Sequence, residues 1–162
     1  MPPDRILPLL AQAPQQIEAA TSMQSDNWLA ERSALDEWSP NEILAHLREC
    51  QDVWGDVRVI RMLQEEVPTI RAVNPNTWLK ETDYDQISFS ASLAAFTQQR
   101  ARFVQRLRDV SLEAWNRAGT FTGGGKPRVY TVHTEADALA RHERSHIKQI
   151  QRLCSRQRPT TN

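Results

Sequence analysis

The chain has 162 residues, enough for one domain with a sizeable core, and its 20 Lys and Arg balance its 20 Asp and Glu. That balance gives no global field towards nucleic acid or an anionic membrane surface, and no apolar run approaches the ~20 residues needed to span a bilayer. Cys50 and Cys154 make no disulfide framework, and "MPPDRILPLLAQAP" is too interrupted to be a signal peptide, so residues 1–162 read as a single domain of a soluble protein in the reducing cytoplasm.

Glycine is scarce, and Ala, Leu, Gln, Glu and Arg are plentiful, which favours helix. The N-terminal segment carries Ile6, Leu9, Leu10 and Ile17 at helical spacing, with Pro14 expected to kink or split it. Next comes "WSPNEI": Ser39 as N-cap, Pro40 at the first helical position and Glu42 completing a capping box. From there a helix is predicted to about Glu66, tolerating Gly55, with Ile43, His46, Cys50, Val53, Val57 and Ile60 on one stripe.

The stretch 67–86, "VPTIRAVNPNTWLKETDYDQ", is long enough to be a crossover or a lid, and its Trp78 is a candidate for closing a pocket. A helix then runs from about Ser88 to Asp109, with Phe89, Leu93, Phe96, Phe103 and Leu107 on one side. Arg100 lies near the centre of that apolar face and needs an acceptor: Glu135 is the candidate for a structural ion pair, and a substrate carboxylate is the alternative that makes the two residues site candidates. Residues 117–130 are Gly-rich, show no convincing strand pattern and are expected to be a mobile loop. Their "TGGGKPR" fails as a phosphate loop, because Thr120 and Pro127 stand where Gly and Ser or Thr are needed. A last helix, from about Val132 to Ser155, places Ala138, Leu139, His142, His146, Ile150 and Leu153 together. The fold class is therefore all-α, a four-helix bundle.

"HERSH" at 142–146 matches H-E-x-x-H, and residues four apart on a helix can bring two imidazoles to one ion. The protease reading fails for want of a third ligand. Gln149 and Arg152 break the extended pattern, and residues 147–162 hold no Asp, Glu or His. His133, nine residues before His142, points to the other side of the helix, whereas His46 faces inward on its own stripe.

Two core faces thus offer three imidazoles, either to one divalent ion with a coordination position left open or as buried, satisfied core residues. Imidazole suits several metals. Glu49 and Gln149 flank the three and could orient an imidazole N–H. Cys50, one turn after His46, reads as a small buried hydrophobe that could also ligate. Glu143, ~100° round the helix from His142, is expected to be a solvated surface acid, and Trp38 to pack at the helix entry.

"EWSPNEILAHLREC" followed about ninety residues later by "ALARHERSHIKQI" resembles the DinB-like superfamily over essentially the whole chain. The resemblance implies up-down-down-up helix order with a long crossover between helices 2 and 3, and a homodimer. It implies a divalent ion, zinc or nickel foremost, on His46, His142 and His146. It also implies an S-transferase or isomerase using a low-molecular-weight thiol such as bacillithiol or mycothiol. A hydrolase on the same site is indistinguishable from it by these residues, and the alternative is a non-catalytic metal-containing stress-response or binding bundle. A small-molecule substrate is expected, with no nucleic-acid or membrane partner; the superfamily's name gives no reason to infer DNA binding.

Overall fold

A computed structural model describes residues 1–72 and 83–156 of the chain. In order, α1 (Pro3–Thr21), a short α2 (Asp26–Ala30), α3 (Pro40–Cys50), a π-helical stretch (Gln51–Val59) and α4 (Ile60–Gln64) lead to β1 (Thr69–Arg71). Then come α5 (Phe89–Arg108), β2 (Ala118–Thr122), β3 (Arg128–Thr131) and α6 (Val132–Arg156). Helix dominates, and no helix among the described residues is long and apolar enough to cross a membrane.

The all-α expectation is corrected by a three-stranded sheet of order β1-β2-β3, in which β2 pairs parallel to β1 and antiparallel to β3. The Gly-rich segment is thus a hairpin rather than a loop. Its turn uses Gly123 and Gly125 at φ +92° and +104°, a region that suits glycine. Gly119 and Phe121 are the only buried positions of β2, too few for alternation to signal a strand.

Proline does not split α1, which runs unbroken through Pro8 and Pro14. Pro14 has no N–H to give to the Leu10 carbonyl, and Arg100 supplies the missing donor from α5, its Nη1 lying 3.3 Å from Leu10 O. The capping box at α3 forms as read: Glu42 N donates to Ser39 Oγ (3.2 Å) and Ser39 N donates to Glu42 Oε2 (2.8 Å).

Beyond Cys50 the helix widens to the π form, which the sequence pattern did not announce. The wider turn shifts the phase of the inward face, so Val57, expected on the stripe, is 44 % exposed. Trp54 and Arg58 continue the line of His46 and Cys50 instead. Gly55 makes room there: a Cβ at this position would stand 2.1 Å from the Gln51 amide nitrogen. Gln51 is fully buried and accepts from Arg100 Nε (2.8 Å). Gly55→Ala should therefore destabilise the protein by roughly 1–3 kcal/mol despite alanine's better helix propensity, measured by urea unfolding. A neutral or stabilising result would mean that Gln51 has somewhere else to go.

Two apolar clusters make the core, one around Ile6, Leu10, Met62, Phe103 and Leu139, the other around Ile17, Ile43, Leu47, Phe96 and Ile150. On α5 and α6 a charged pair separates them: Arg100, 1 % exposed, forms a bidentate ion pair with Glu143, 2 % exposed. Glu143 is therefore not the surface acid expected. α6 packs against α1 as well as α3 and its π continuation, so a second of its faces is buried. The acceptor for Arg100 is Glu143 and not Glu135, whose carboxylate takes Arg58 Nη1 at 2.9 Å.

Candidate metal centre

The helix formed by α3 and its π continuation runs antiparallel to α6. His46 meets His142 and His146, Trp54 meets His142, and Arg58 meets Glu135. The seam begins at three imidazoles. His142 Nε2 lies 3.3 Å from His46 Nε2 and 3.3 Å from His146 Nε2. His133 stays apart, its ring nitrogen 2.6 Å from Met1 O.

The groups around the cluster favour one tautomer. Gln149 Oε1 lies 3.3 Å from His146 Nδ1, and Glu49 Oε2 lies 4.0 Å from His46 Nδ1. Gln149 holds the proton of His146 on Nδ1 and leaves its Nε2 lone pair directed at His142, and the Glu49 carboxylate, beyond hydrogen-bond reach, biases His46 the same way. The cluster cannot satisfy itself: one proton on His142 Nε2 serves only one neighbour, and the buried His142 Nδ1 has no hydrogen-bond partner among the described residues. Nitrogens bound at about 2.0–2.1 Å to one tetrahedral ion lie about 3.3 Å apart, the separation seen here. The spacing of His142 from each of its two neighbours therefore suits nitrogens sharing a divalent cation.

Electrostatics keeps the set ready for that role. Burial first, then the neighbouring His146 and His142, pushes His46 down to about 4. Burial and His146 do the same to His142, and burial lowers His146. Their folded values lie below the unfolded value near 6.5, so the unfolded chain binds more protons and stability falls as pH drops. In the metal-free protein, urea unfolding should show stability flat above about pH 7 and declining between about pH 6.5 and 4. His142→Ala should flatten that decline; an unchanged profile would mean that other groups govern it.

Cys50 is closer to the site than a packing residue need be. Its Sγ lies 3.5 Å from His46 Nε2, and the ligand atoms of His46, Cys50 and His142 all fall within 4.8 Å of one another. Burial, with Glu143 and Glu49 nearby, pushes its thiol up to about 12, so it is protonated at neutral pH. Two tryptophans flank the cluster. Trp38 sets its ring edge-on to His46 (5.3 Å) and nearly parallel to His146 (6.3 Å), and Trp54 packs against His142 at 5.0 Å.

Trp38 thus does more than fix the helix entry. Trp54 escaped the sequence reading because an α-helical phase does not bring it to the seam. Of the other candidates, Arg100 and Glu135 lie in separate ion pairs. Trp78 lies outside the described residues.

Residues 9–150 match the DinB superfamily. No curated protein matches the chain. Among solved structures, "YfiT from Bacillus subtilis", described as a probable metal-dependent hydrolase with an unusual four-helix bundle topology, is 22 % identical with a TM-score of 0.78, over 95 % of this chain and 86 % of that one. The mycothiol-dependent maleylpyruvate isomerase is 15 % identical with a TM-score of 0.65, over 93 % of this chain and 61 % of that longer one. At these identities the likeness establishes the fold, a mostly helical chain similar to the YfiT bundle.

Proposed function

The chain belongs to the DinB superfamily, and on that premise we propose that it is a divalent-metal-dependent enzyme acting on a small molecule, with His46, His142 and His146 as ligands. The observation that carries this reading is that His142 Nε2 lies 3.3 Å from both His46 Nε2 and His146 Nε2. A bound zinc or nickel ion supplies Lewis acidity, which makes a thiol or a water nucleophilic at neutral pH.

The chain's own residues hold the ligands in place. Gln149 keeps the proton on Nδ1 of His146, the Glu49 carboxylate stands 4.0 Å from Nδ1 of His46, and Trp38 and Trp54 exclude water from two sides. The two structural neighbours are described as a probable metal-dependent hydrolase and a mycothiol-dependent isomerase. Within that range we favour S-transfer with a bacillithiol- or mycothiol-type cosubstrate.

The reading includes residues 1–162 as one cytoplasmic domain, up-down-down-up helix order with a crossover between helices 2 and 3, and a homodimer. Pairings that support the order are α1 running alongside α6 from Met1–Asp137, and α3 alongside α5 through Arg48–Ser92.

Elemental analysis of protein purified without nickel resin tests the proposal, with His46→Ala and His142→Ala variants alongside. The expected result is about one zinc or nickel per chain, lost in both variants. Wild-type protein that is metal-free and takes up neither ion when supplied would overturn it.

A further inference from the structure

The seam that begins at the histidines does not end there. On one side it continues from His46 through Cys50 and Trp54 to Arg58; on the other it continues from His146 through His142 and Ala138 to Glu135. Beyond Trp54 the helices part from the β2–β3 hairpin to leave a groove of about 390 Å³. Its lining includes Trp54, Arg58, Phe121, Lys126, Arg128 and Tyr130, with Glu135 and Ala138 as floor on α6. Trp54 is therefore shared: one part of the side chain packs on His142, and another lines the groove.

The charge in this groove is lopsided in a molecule whose net charge is zero. Arg58, Lys126 and Arg128 face a single carboxylate, Glu135. Arg58 is the inner cation, its guanidinium carbon 5.7 Å from the Trp54 ring centroid and 5.3 Å from that of Phe121. It gives Nη1 to Glu135 at 2.9 Å, the one acceptor it meets among the described residues, and a guanidinium carries five N–H donors. Lys126 and Arg128 stand exposed at the hairpin end, and Tyr130 is half-buried beside them.

The shape matches the charge. Glu135 lies seven residues before His142 on one helix, about 10 Å along its axis. An elongated small molecule with one end at the histidines would place its other end among these cations.

We propose that this groove is the oxyanion subsite of the enzyme: Arg58, Lys126 and Arg128 take a carboxylate or phosphate carried by the substrate or cosubstrate at the end remote from the reacting atom. The aromatic walls of Trp54 and Phe121 cover the apolar stretch between, and Glu135 holds Arg58 in its orientation. The proposal rests on the metal-dependent reading above for what happens at the histidine end. The groove itself can be tested without it.

The test is a titration of the full ¹⁵N-labelled, zinc-loaded chain with inorganic phosphate and with sodium acetate, followed by NMR, with sodium chloride as the ionic-strength control. The same titrations are run on the Lys126→Ala/Arg128→Ala double variant, whose changes lie on the exposed hairpin, and on His142→Ala.

Saturable shifts confined to the Trp54 indole and the Gly123–Gly125 amides are expected. They should be weakened roughly tenfold in the double variant and unchanged in His142→Ala. Saturation by phosphate alone, or by both anions, supports the subsite and names which oxyanion it accepts. Shifts that sodium chloride reproduces, or that persist undiminished in the double variant, would overturn it. Metal analysis of the same samples separates the two ideas: phosphate binding in a chain that takes up no metal leaves the groove standing and removes the enzyme reading.

Discussion

Arg100→Met should lower the folding free energy by about 3–5 kcal/mol, a fall in Tm of roughly 10 °C or more by calorimetry. The size follows from what the substitution strands. Glu143 is 2 % exposed and would keep a buried charge with no partner, and Gln51 would lose the N–H it accepts. Arg100→Met/Glu143→Leu should recover most of the loss, because replacing both members of a buried pair by apolar residues of similar volume is often neutral.

One orphan remains in that double variant. The Leu10 carbonyl, deprived of its helical donor by Pro14, would also have lost Arg100 Nη1. Adding Pro14→Ala returns a backbone N–H and should restore about 1–3 kcal/mol in the Arg100→Met background, more than it gives in the wild type. Additive effects of Pro14→Ala and Arg100→Met would show that α1 does not depend on α5 for this bond.

The same three residues show how far the sequence could be read. The heptad-like spacing of Phe96, Arg100 and Phe103 announced a buried guanidinium, but only the packing of α6 on several sides could say that its partner is Glu143. A residue ~100° from the histidine stripe looks solvent-facing only if the helix has a single buried face. Helix starts were legible because caps are local chemistry, as at Ser39. The histidine seam was legible because an i, i+4 pair and a lone inward imidazole are unusual company for apolar stripes.

The π stretch was not legible. Gln51, at its start, is buried against Arg100 from another helix, which no local pattern announces, and the widened turn aligns Trp54 and Arg58 with His46 against the α-helical phase. The sheet is illegible for a related reason: the hairpin's β2 is also paired with β1, Ile70 opposite Phe121, across some fifty residues, with little alternation in the sequence of its strands.

His146→Ala should weaken zinc binding by roughly a hundred- to thousandfold, whereas Cys50→Ser should change it by only a few-fold, both measured by competition with a chelating dye. Two ligand sets sharing His46 and His142 compete: the proposed one, completed by His146 at 3.3 Å from His142, and one completed by Cys50, whose ligand atoms all fall within 4.8 Å of one another. Thiol ionisation decides between them. Burial and the carboxylates of Glu143 and Glu49 hold Cys50 protonated, so recruiting its thiolate means releasing a proton against two negative neighbours. His146 is already neutral, with Gln149 on its Nδ1 side.

Cobalt substitution gives the independent readout. A three-imidazole site shows no sulfur-to-cobalt charge-transfer band in the near ultraviolet, and a site with Cys50 does. If that band appears and vanishes in Cys50→Ser, the ligand set is His46, Cys50 and His142. His146 would then be free to act as a base rather than as a ligand.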